Sequence, residues 1–339
     1  MTFTDEQLAL QDTVRNVLGR HPDPWPVLCA QVGVAALAVP ERHGGLGAGL
    51  REVQIVAEEL GRVLSPAPFL GSAVLATHAI LETADEEAAK RLLPRLAEGT
   101  LAALGWATED GSWDPDRTAF SARGSVVDGH AHYVLEGDLA EVLLVVAETD
   151  GELGLFEVDP AQARRVHTPT MDESRHLAEI EVTGAEATRV GTGDFRPALH
   201  RLRDTACAVL AAEQVGAAAR ALDITVAYSR QREQFGRPIG GFQALKHRMA
   251  DLYVLVETAR SAAYAVTEPD ADVAHLAAVA KTYCSEVFSR VAAEMIQLHG
   301  GIAITWEHEA HRFFKRAHGA GQLFGQPHHH LPRVVPTLE

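Results

Sequence analysis

His308 and His311, in the run HEAH, are the first residues whose type suggests chemistry, because imidazole is both a metal ligand and a proton carrier near neutral pH. On a helix they stand three residues apart, whereas the zinc-protease HExxH pattern needs a separation of four to bring both rings to one metal. A second run, His328 to His330, sits in ordinary sequence and suggests no more than weak metal affinity. No metal site is expected from either. The three cysteines, Cys29, Cys207 and Cys284, are widely spaced with no CxxC pattern, which suits reduced and buried side chains. Neither a Ser-His-Asp arrangement nor a P-loop is present.

The elements that must position any site are legible from periodicity. The chain of 339 residues is 47% hydrophobic, long enough for two or three domains with cores of their own. Its 30 basic and 46 acidic residues give a formal charge of -16, which repels a polyanion and excludes nucleic acid as the expected partner. The start MTFTDEQLAL has neither the basic region nor the apolar run of a signal peptide, and no stretch approaches the length of a membrane span. A cytoplasmic location is expected.

Thr4 and Gln7 form a capping box, Phe3 and Leu8 a hydrophobic staple, and Gly19 a stop, so the first helix is defined at both ends. The segments REVQIVAEELGRVL and DEEAAKRLLPRLAEG continue the helical period, with the glycine-rich turn PERHGGLGAGL before them. From about residue 100 the pattern changes to short β-type runs, HAHYVLEG, AEVLLVVAE, LGLFEV and AEIEVT. After Phe195 the helical period returns, with Leu199, Leu202, Ala206 and Val209 on one stripe and Leu245, Met249, Leu252, Leu255 and Ala259 on another. The expected organisation is α+β and multidomain: an all-α domain over 1–98, a β-barrel or sandwich domain over 99–194 and a helical bundle over 195–339.

The segment from Tyr228 to Lys246, YSRQREQFGRPIGGFQALK, resembles the C-terminal signature of the acyl-CoA dehydrogenase family. QLHGGIAITWEHEAHRFFKRA, from Gln297 to Ala317, resembles the family's second signature, and PERHGGLGAGL its N-terminal turn. The resemblance implies a helical domain, a β domain and a C-terminal four-helix bundle assembled as a dimer of dimers around FAD. It also implies a reaction in which a glutamate removes the α-proton of an acyl-CoA while the β-hydrogen leaves as hydride to the flavin. An electron-transfer flavoprotein or similar acceptor then takes the electrons.

In the family the bundle of one subunit holds the adenine and pyrophosphate end of its neighbour's FAD. The matching positions are Arg232, Phe235, Gln243, Gln297, Gly300 and Gly301. A guanidinium and two amides suit phosphate oxygens, and paired glycines let backbone N–H groups approach an anion. The flavin-ring end is eroded: the family's TEPxxGSD loop is matched by Thr108, Glu109, Asp110, Gly111, Ser112, Trp113 and Asp114, and its WI(S/T)N strand by Tyr133, Val134, Leu135 and Glu136. Leu135 stands where a hydroxyl residue bonds near flavin N5, and leucine makes no such bond.

The catalytic glutamate of the family lies 23 residues beyond the second glycine of its GG pair, and that position is Phe324, before Gly325. Some branches place it ten residues before the glycine matching Gly216, and that position is Ala206, followed by Cys207. No catalytic residue is therefore assigned to this chain. Asp204 and Glu213, on the same expected helix, are the fallback carboxylates and are read as solvated.

The pattern resembles the small, base-lacking subunit of actinobacterial heterotetrameric acyl-CoA dehydrogenases of the steroid side-chain type. The expectation is an α2β2 assembly with a paralogue that carries the glutamate, acting on a fatty or steroid acyl-CoA in lipid β-oxidation. The alternatives are a self-sufficient homo-oligomeric flavoprotein with a relocated base, and a scaffold of the same fold without catalysis.

Overall fold

The computed structural model describes residues 3–335, which divide into two compact units: residues 3–56 with 66–206, and residues 57–65 with 207–335. The first unit opens on α1 (Asp5–Leu18), where the Thr4 side chain accepts from the Gln7 N–H, the Gln7 side chain returns to the Thr4 N–H, and Gly19 is the C-cap. A short turn of helix, α2 (Trp25–Val27), is followed by α3 (Leu50–Arg62), whose residues from Ala57 onward belong to the second unit. A fully buried π-helical segment, Phe69–Ala76, leads into α4 (Thr77–Glu82) and α5 (Glu86–Ala97). Asp85 caps α5 by accepting from the N–H groups of Glu87 and Ala88.

Seven strands follow: β1 (Ala102–Gly105), β2 (Phe120–Arg123), β3 (Val126–Leu135), β4 (Val142–Thr149), β5 (Glu152–Val158), β6 (Ala163–His167) and β7 (Leu177–Val190). Strand β4 pairs with β2, β2 with β3, β3 with β7, β7 with β5 and β5 again with β4, so the sheet closes on itself as a barrel. Closure removes the free edges that an open sheet must protect. Val127, Ala131, Leu143, Val145, Phe156, Val158, Ile180 and Val182 fill the interior. Their strand neighbours point outward by the two-residue period of the pleat. Four strands answer the runs recognised in the sequence; β1, β2 and β6 do not, being only four or five residues long.

Helix α6 (Arg196–Gln231) carries the chain from the first unit into the second. The two-residue strands β8 (Glu233–Gln234) and β9 (Arg237–Pro238) form a hairpin, and α7 (Gln243–Tyr264), α8 (Val273–His299), α9 (Ala310–Gln322) and α10 (Pro327–Val334) complete the bundle. Helix α9 begins only at Ala310, so His308 lies in the preceding turn and HEAH is not a continuous helical run as the sequence suggested. Both expected stripes face inward: Leu199, Leu202, Ala206 and Val209 are buried, as are Met249, Leu252 and Ala259, with Leu245 and Leu255 at the margin. Among the described residues, no helix is long and apolar enough to cross a membrane.

Within the second unit the end of α3 crosses α6 at a reciprocal pair of glycines. A Cβ at Gly61 would lie 2.0 Å from the Glu213 carbonyl oxygen, and one at Gly216 would lie 1.8 Å from that of Glu58. Gly216→Ala therefore forces two backbones apart and should destabilise the protein by about 1–3 kcal/mol or more. Gly321→Ala, on α9 with nothing within 4 Å of the added carbon, should be neutral or stabilising by up to about 1 kcal/mol. Denaturant midpoints of the two variants test the contrast, and a Gly216→Ala midpoint equal to wild type would refute it.

Candidate functional site: a half-built cofactor cradle

The six residues matched to the cofactor site all lie in the second unit and all face solvent. Arg232 follows the end of α6, its N–H donating to the Tyr228 carbonyl and its own carbonyl accepting from Ile239, which fixes the base of the hairpin. At the hairpin tip Phe235 and Gly236 both have positive φ, 55° and 75°, the pairing of a two-residue turn matched to strand twist. An aromatic residue at positive φ is uncommon. Its ring is held only edge-on against Phe242, 6.1 Å between centroids, and remains 92% exposed. Gln243 opens α7, and Gln297 lies in the last turn of α8.

Gly300 caps α8 with φ 66° and ψ -146°, and a Cβ at Gly300 or Gly301 would meet nothing of this chain within 4 Å. These glycines are therefore not required for packing inside the chain. The backbone angle accounts for Gly300, and the pair leaves an open stretch of main chain in the same unit as the two amides and the guanidinium. That donor set fits an anionic, hydrogen-bonding ligand such as a pyrophosphate.

The two signature segments are joined by a contact the sequence reading did not single out. Tyr228, near the end of α6, stacks on His299 with ring centroids 4.3 Å apart, and its hydroxyl donates to the His299 carbonyl at 3.3 Å. His308 packs against both rings, 4.5 Å from His299 and 6.1 Å from Tyr228 between centroids. All three residues lie inside the quoted motifs, so their types were visible, but the ring-on-ring arrangement joins positions some 70 residues apart.

His299 is buried, with Nδ1 2.8 Å from the Met295 carbonyl. Burial lowers its pKa from the ordinary 6.5; the Met295 contact opposes this, and nearby His308 adds to the lowering. A histidine held below its unfolded pKa contributes stability that is present above 6.5 and lost as pH falls from there toward the folded value, because the unfolded chain binds the proton more readily. His299→Phe keeps the stacking and removes the proton site. Its melting temperature should fall less between pH 7 and pH 5 than that of wild type, and parallel profiles would refute the assignment.

The positions where the family keeps its base are closed to proton transfer. Phe324 is buried at φ 59°, immediately before Gly325 at φ 98°, and its carbonyl is 3.0 Å from His330 Nε2. Buried Lys281 fixes the approach to this turn, its ammonium donating to the carbonyls of Ala320 and Gly321 at the end of α9. Ala206 and Cys207 are wholly buried.

Asp204 and Glu213 are not the solvated carboxylates expected from the sequence, because both are buried and paired. Asp204 accepts from Arg203 at 3.1 Å, and Glu213 lies 3.2 Å from Arg316 Nε. Both carboxylates are thus engaged in ion pairs within the fold. Two of the cysteines are held as thiols: burial pushes Cys284 up to about 12, with Lys281 opposing it, and Cys29 up to about 11.

The residues matched to the flavin-ring contacts are turned to other uses. Leu135 is buried at the end of β3, where a Cβ at Gly71 would lie 2.8 Å from its own Cβ, so it packs against the π-helical segment. The loop before β2 closes on itself. Thr108 donates its hydroxyl to Asp110 at 2.5 Å, the Ser112 N–H donates to the same carboxylate, and the Ser112 hydroxyl accepts from Asp114. Trp113 is buried edge-to-face against Trp106, centroids 5.3 Å apart. These side chains do not fit a flavin ring.

An N-terminal helical segment, a closed β barrel and a C-terminal helical bundle, in that chain order, are the acyl-CoA dehydrogenase architecture. Residues 4–100 match the model of the acyl-CoA dehydrogenase N-terminal domain and residues 198–328 that of the C-terminal domain. The chain is 42% identical over 328 residues to acyl-CoA dehydrogenase IpdE2 of Mycolicibacterium smegmatis, covering 96% of this chain and 91% of that one. It is 32% identical to acyl-CoA dehydrogenase FadE28 of Mycobacterium tuberculosis, covering 97% and 96%. Among solved structures it superposes on a chain of the ChsE4-ChsE5 complex from Mycobacterium tuberculosis with a TM-score of 0.87 at 27% identity, covering 98% and 97%. The chain belongs to the acyl-CoA dehydrogenase family, whose cofactor is FAD and whose reaction is the dehydrogenation of acyl-CoA thioesters.

Proposed function

We propose that this chain is the base-lacking subunit of a heteromeric acyl-CoA dehydrogenase, an α2β2 assembly in which it completes FAD sites whose ring pocket and glutamate belong to a paralogous partner. One observation carries the reading. Both positions for the base are occupied by buried apolar side chains, Phe324 and Ala206, and the two nearby carboxylates are held by arginines.

The cofactor-facing half supports the same division. Arg232, Gln243, Gln297 and the Gly300–Gly301 main chain would hold the adenine and pyrophosphate end, with Phe235 beside them. When bound, FAD accepts the hydride. This chain's residues bind and orient the cofactor's far end and move no proton. Phe235, Ile304 and Trp306, in or beside the signature segments, are 92%, 76% and 71% exposed, which is apolar surface suited to burial against another subunit. The ChsE4-ChsE5 structure is by its description a complex of two named chains, which accords with a two-chain assembly here. The substrate proposed is an acyl-CoA of the steroid side-chain type, handled in the cytoplasm, with an electron-transfer flavoprotein as acceptor.

The test is co-expression with the candidate paralogue. The chain alone should be colourless or poorly soluble, and the pair should purify as a yellow complex with one FAD per two unlike chains. A stable yellow homotetramer with one FAD per chain would instead establish the self-sufficient alternative.

Within the complex, Arg232→Ala should weaken FAD retention by roughly ten- to a hundredfold, the equivalent of about 1.5–3 kcal/mol for a charge-assisted bond. Substrate affinity should be largely intact. Unchanged flavin affinity would remove Arg232 from the site.

A further inference from the structure

The outer face of the barrel carries a cluster that the dehydrogenase reading leaves unused. On β3, His130 and His132 flank the inward-facing Ala131, so both imidazoles point away from the barrel core. On the paired strand β7, His130 stands opposite Glu181 and Ala131 opposite Ile180, which sets Glu179 beside the two histidines on the same outer face. The register shifts between Ala131 and Val134, and Tyr133 has φ 56°, so a bulge immediately follows His132. Bulges re-aim side chains. Here the two rings converge to 4.2 Å between centroids.

The distances distinguish a ligand set from an ordinary ion pair. Glu179 Oε2 is 3.5 Å from His130 Nε2, and Oε1 is 3.8 Å from His132 Nδ1. Both exceed a good hydrogen bond. Two ligands of one tetrahedral zinc, each about 2.0–2.1 Å from the metal, lie roughly 3.3–3.5 Å apart along the tetrahedron's edge. One potential ligand atom from each residue lies within 4.8 Å of the others, so small rotations of the side chains would close the set on a metal.

A second cluster, Asp138 with His167 and His176, differs in this respect: His176 Nε2 is already 2.8 Å from the Asp138 carboxylate, hydrogen-bond distance with no room for a metal between the two. Nearby Glu181 is taken by Arg164 at 3.1 Å, leaving Glu179 as the carboxylate facing the imidazoles. The three side chains are 40%, 13% and 38% exposed for His130, His132 and Glu179, open enough to admit an ion and a solvent ligand.

We propose that His130, His132 and Glu179 form a binding site for a zinc-type divalent transition metal, with two imidazoles and one carboxylate as protein ligands and the fourth position open to solvent. Imidazole donors favour zinc over the hard cations magnesium and calcium, which prefer all-oxygen sites. The site ties β3 to β7 beside the bulge without touching the bundle residues assigned to the cofactor.

Calorimetric titration of the assembled, metal-stripped protein with Zn(II) tests this, with Mg(II) as the comparison. One zinc should bind per copy of this chain, and Mg(II) should not compete. His132→Ala and Glu179→Gln should each weaken zinc binding by at least about tenfold, since even outer-sphere changes cost that much. His130→Gln, at the most exposed of the three residues, serves in their place if either variant fails to assemble. His176→Ala and the double variant His328→Asn, His329→Asn should titrate like wild type. Zinc affinity unchanged in the variants of the three ligands, or lost in either of the latter two, would overturn the proposal.

Discussion

The close approach of two helices in the second unit, α3 over α6 at Gly61 and Gly216, is the constraint from which the placement of the buried carboxylates follows. Each glycine lies against the carbonyl of a glutamate on the other helix, Gly61 against Glu213 and Gly216 against Glu58. The same packing buries both glutamates, and a buried carboxylate is costly unless it is paired. Glu58 is met by Arg260 and by the Tyr264 hydroxyl at 2.8 Å, both from α7. Glu213 is met by Arg316 of α9, which also donates to the Ser65 carbonyl. The crossing thus recruits α7 and α9 through ion pairs, and the carboxylates are committed to structure before any question of catalysis arises.

That commitment explains why the sequence misled at one point and informed at others. A glutamate on a long helix reads as solvated, and only the reciprocal glycines, 155 positions apart in the chain, show that Glu213 is not. The capping box at Thr4 and Gln7 involves neighbours three residues apart, so it was legible in full. The order of helices, strands and helices was equally visible, because period depends on the chain's own alternation. Strands β1, β2 and β6 were missed because AALG and ARRVH carry little alternation and FSAR, though it alternates, is only four residues long, so all three are strands by virtue of partners elsewhere in the barrel.

The candidate site shows the same division. Arg232, Phe235, Gln243, Gln297, Gly300 and Gly301 were assigned by their register in two motifs, whereas the packing of Tyr228, His299 and His308 that joins those motifs is a tertiary fact. The histidines that invited a metal reading in the sequence, in HEAH and HHH, were the conspicuous ones. His130 and His132 alternate on a strand, and their significance depends on Glu179 across the ladder. Strand register, unlike helical spacing, brings ligands together from segments whose separation in sequence gives no hint of it.

The barrel and the proposed cofactor contacts also answer to different constraints. Barrel stability rests on Leu143, Val145, Phe156 and Ile180 and on ladder closure, none of which requires a hydroxyl at position 135. Leucine at that position gains burial against Gly71, and the loop from Thr108 to Asp114 satisfies its polar groups within itself. The bundle face is different, since an exposed Phe235 at positive φ and an exposed Trp306 are unfavourable for an isolated chain. Residues that cost stability in isolation persist where something outside the chain compensates for them, and on the shared-site reading that compensation comes from the cofactor and the partner subunit.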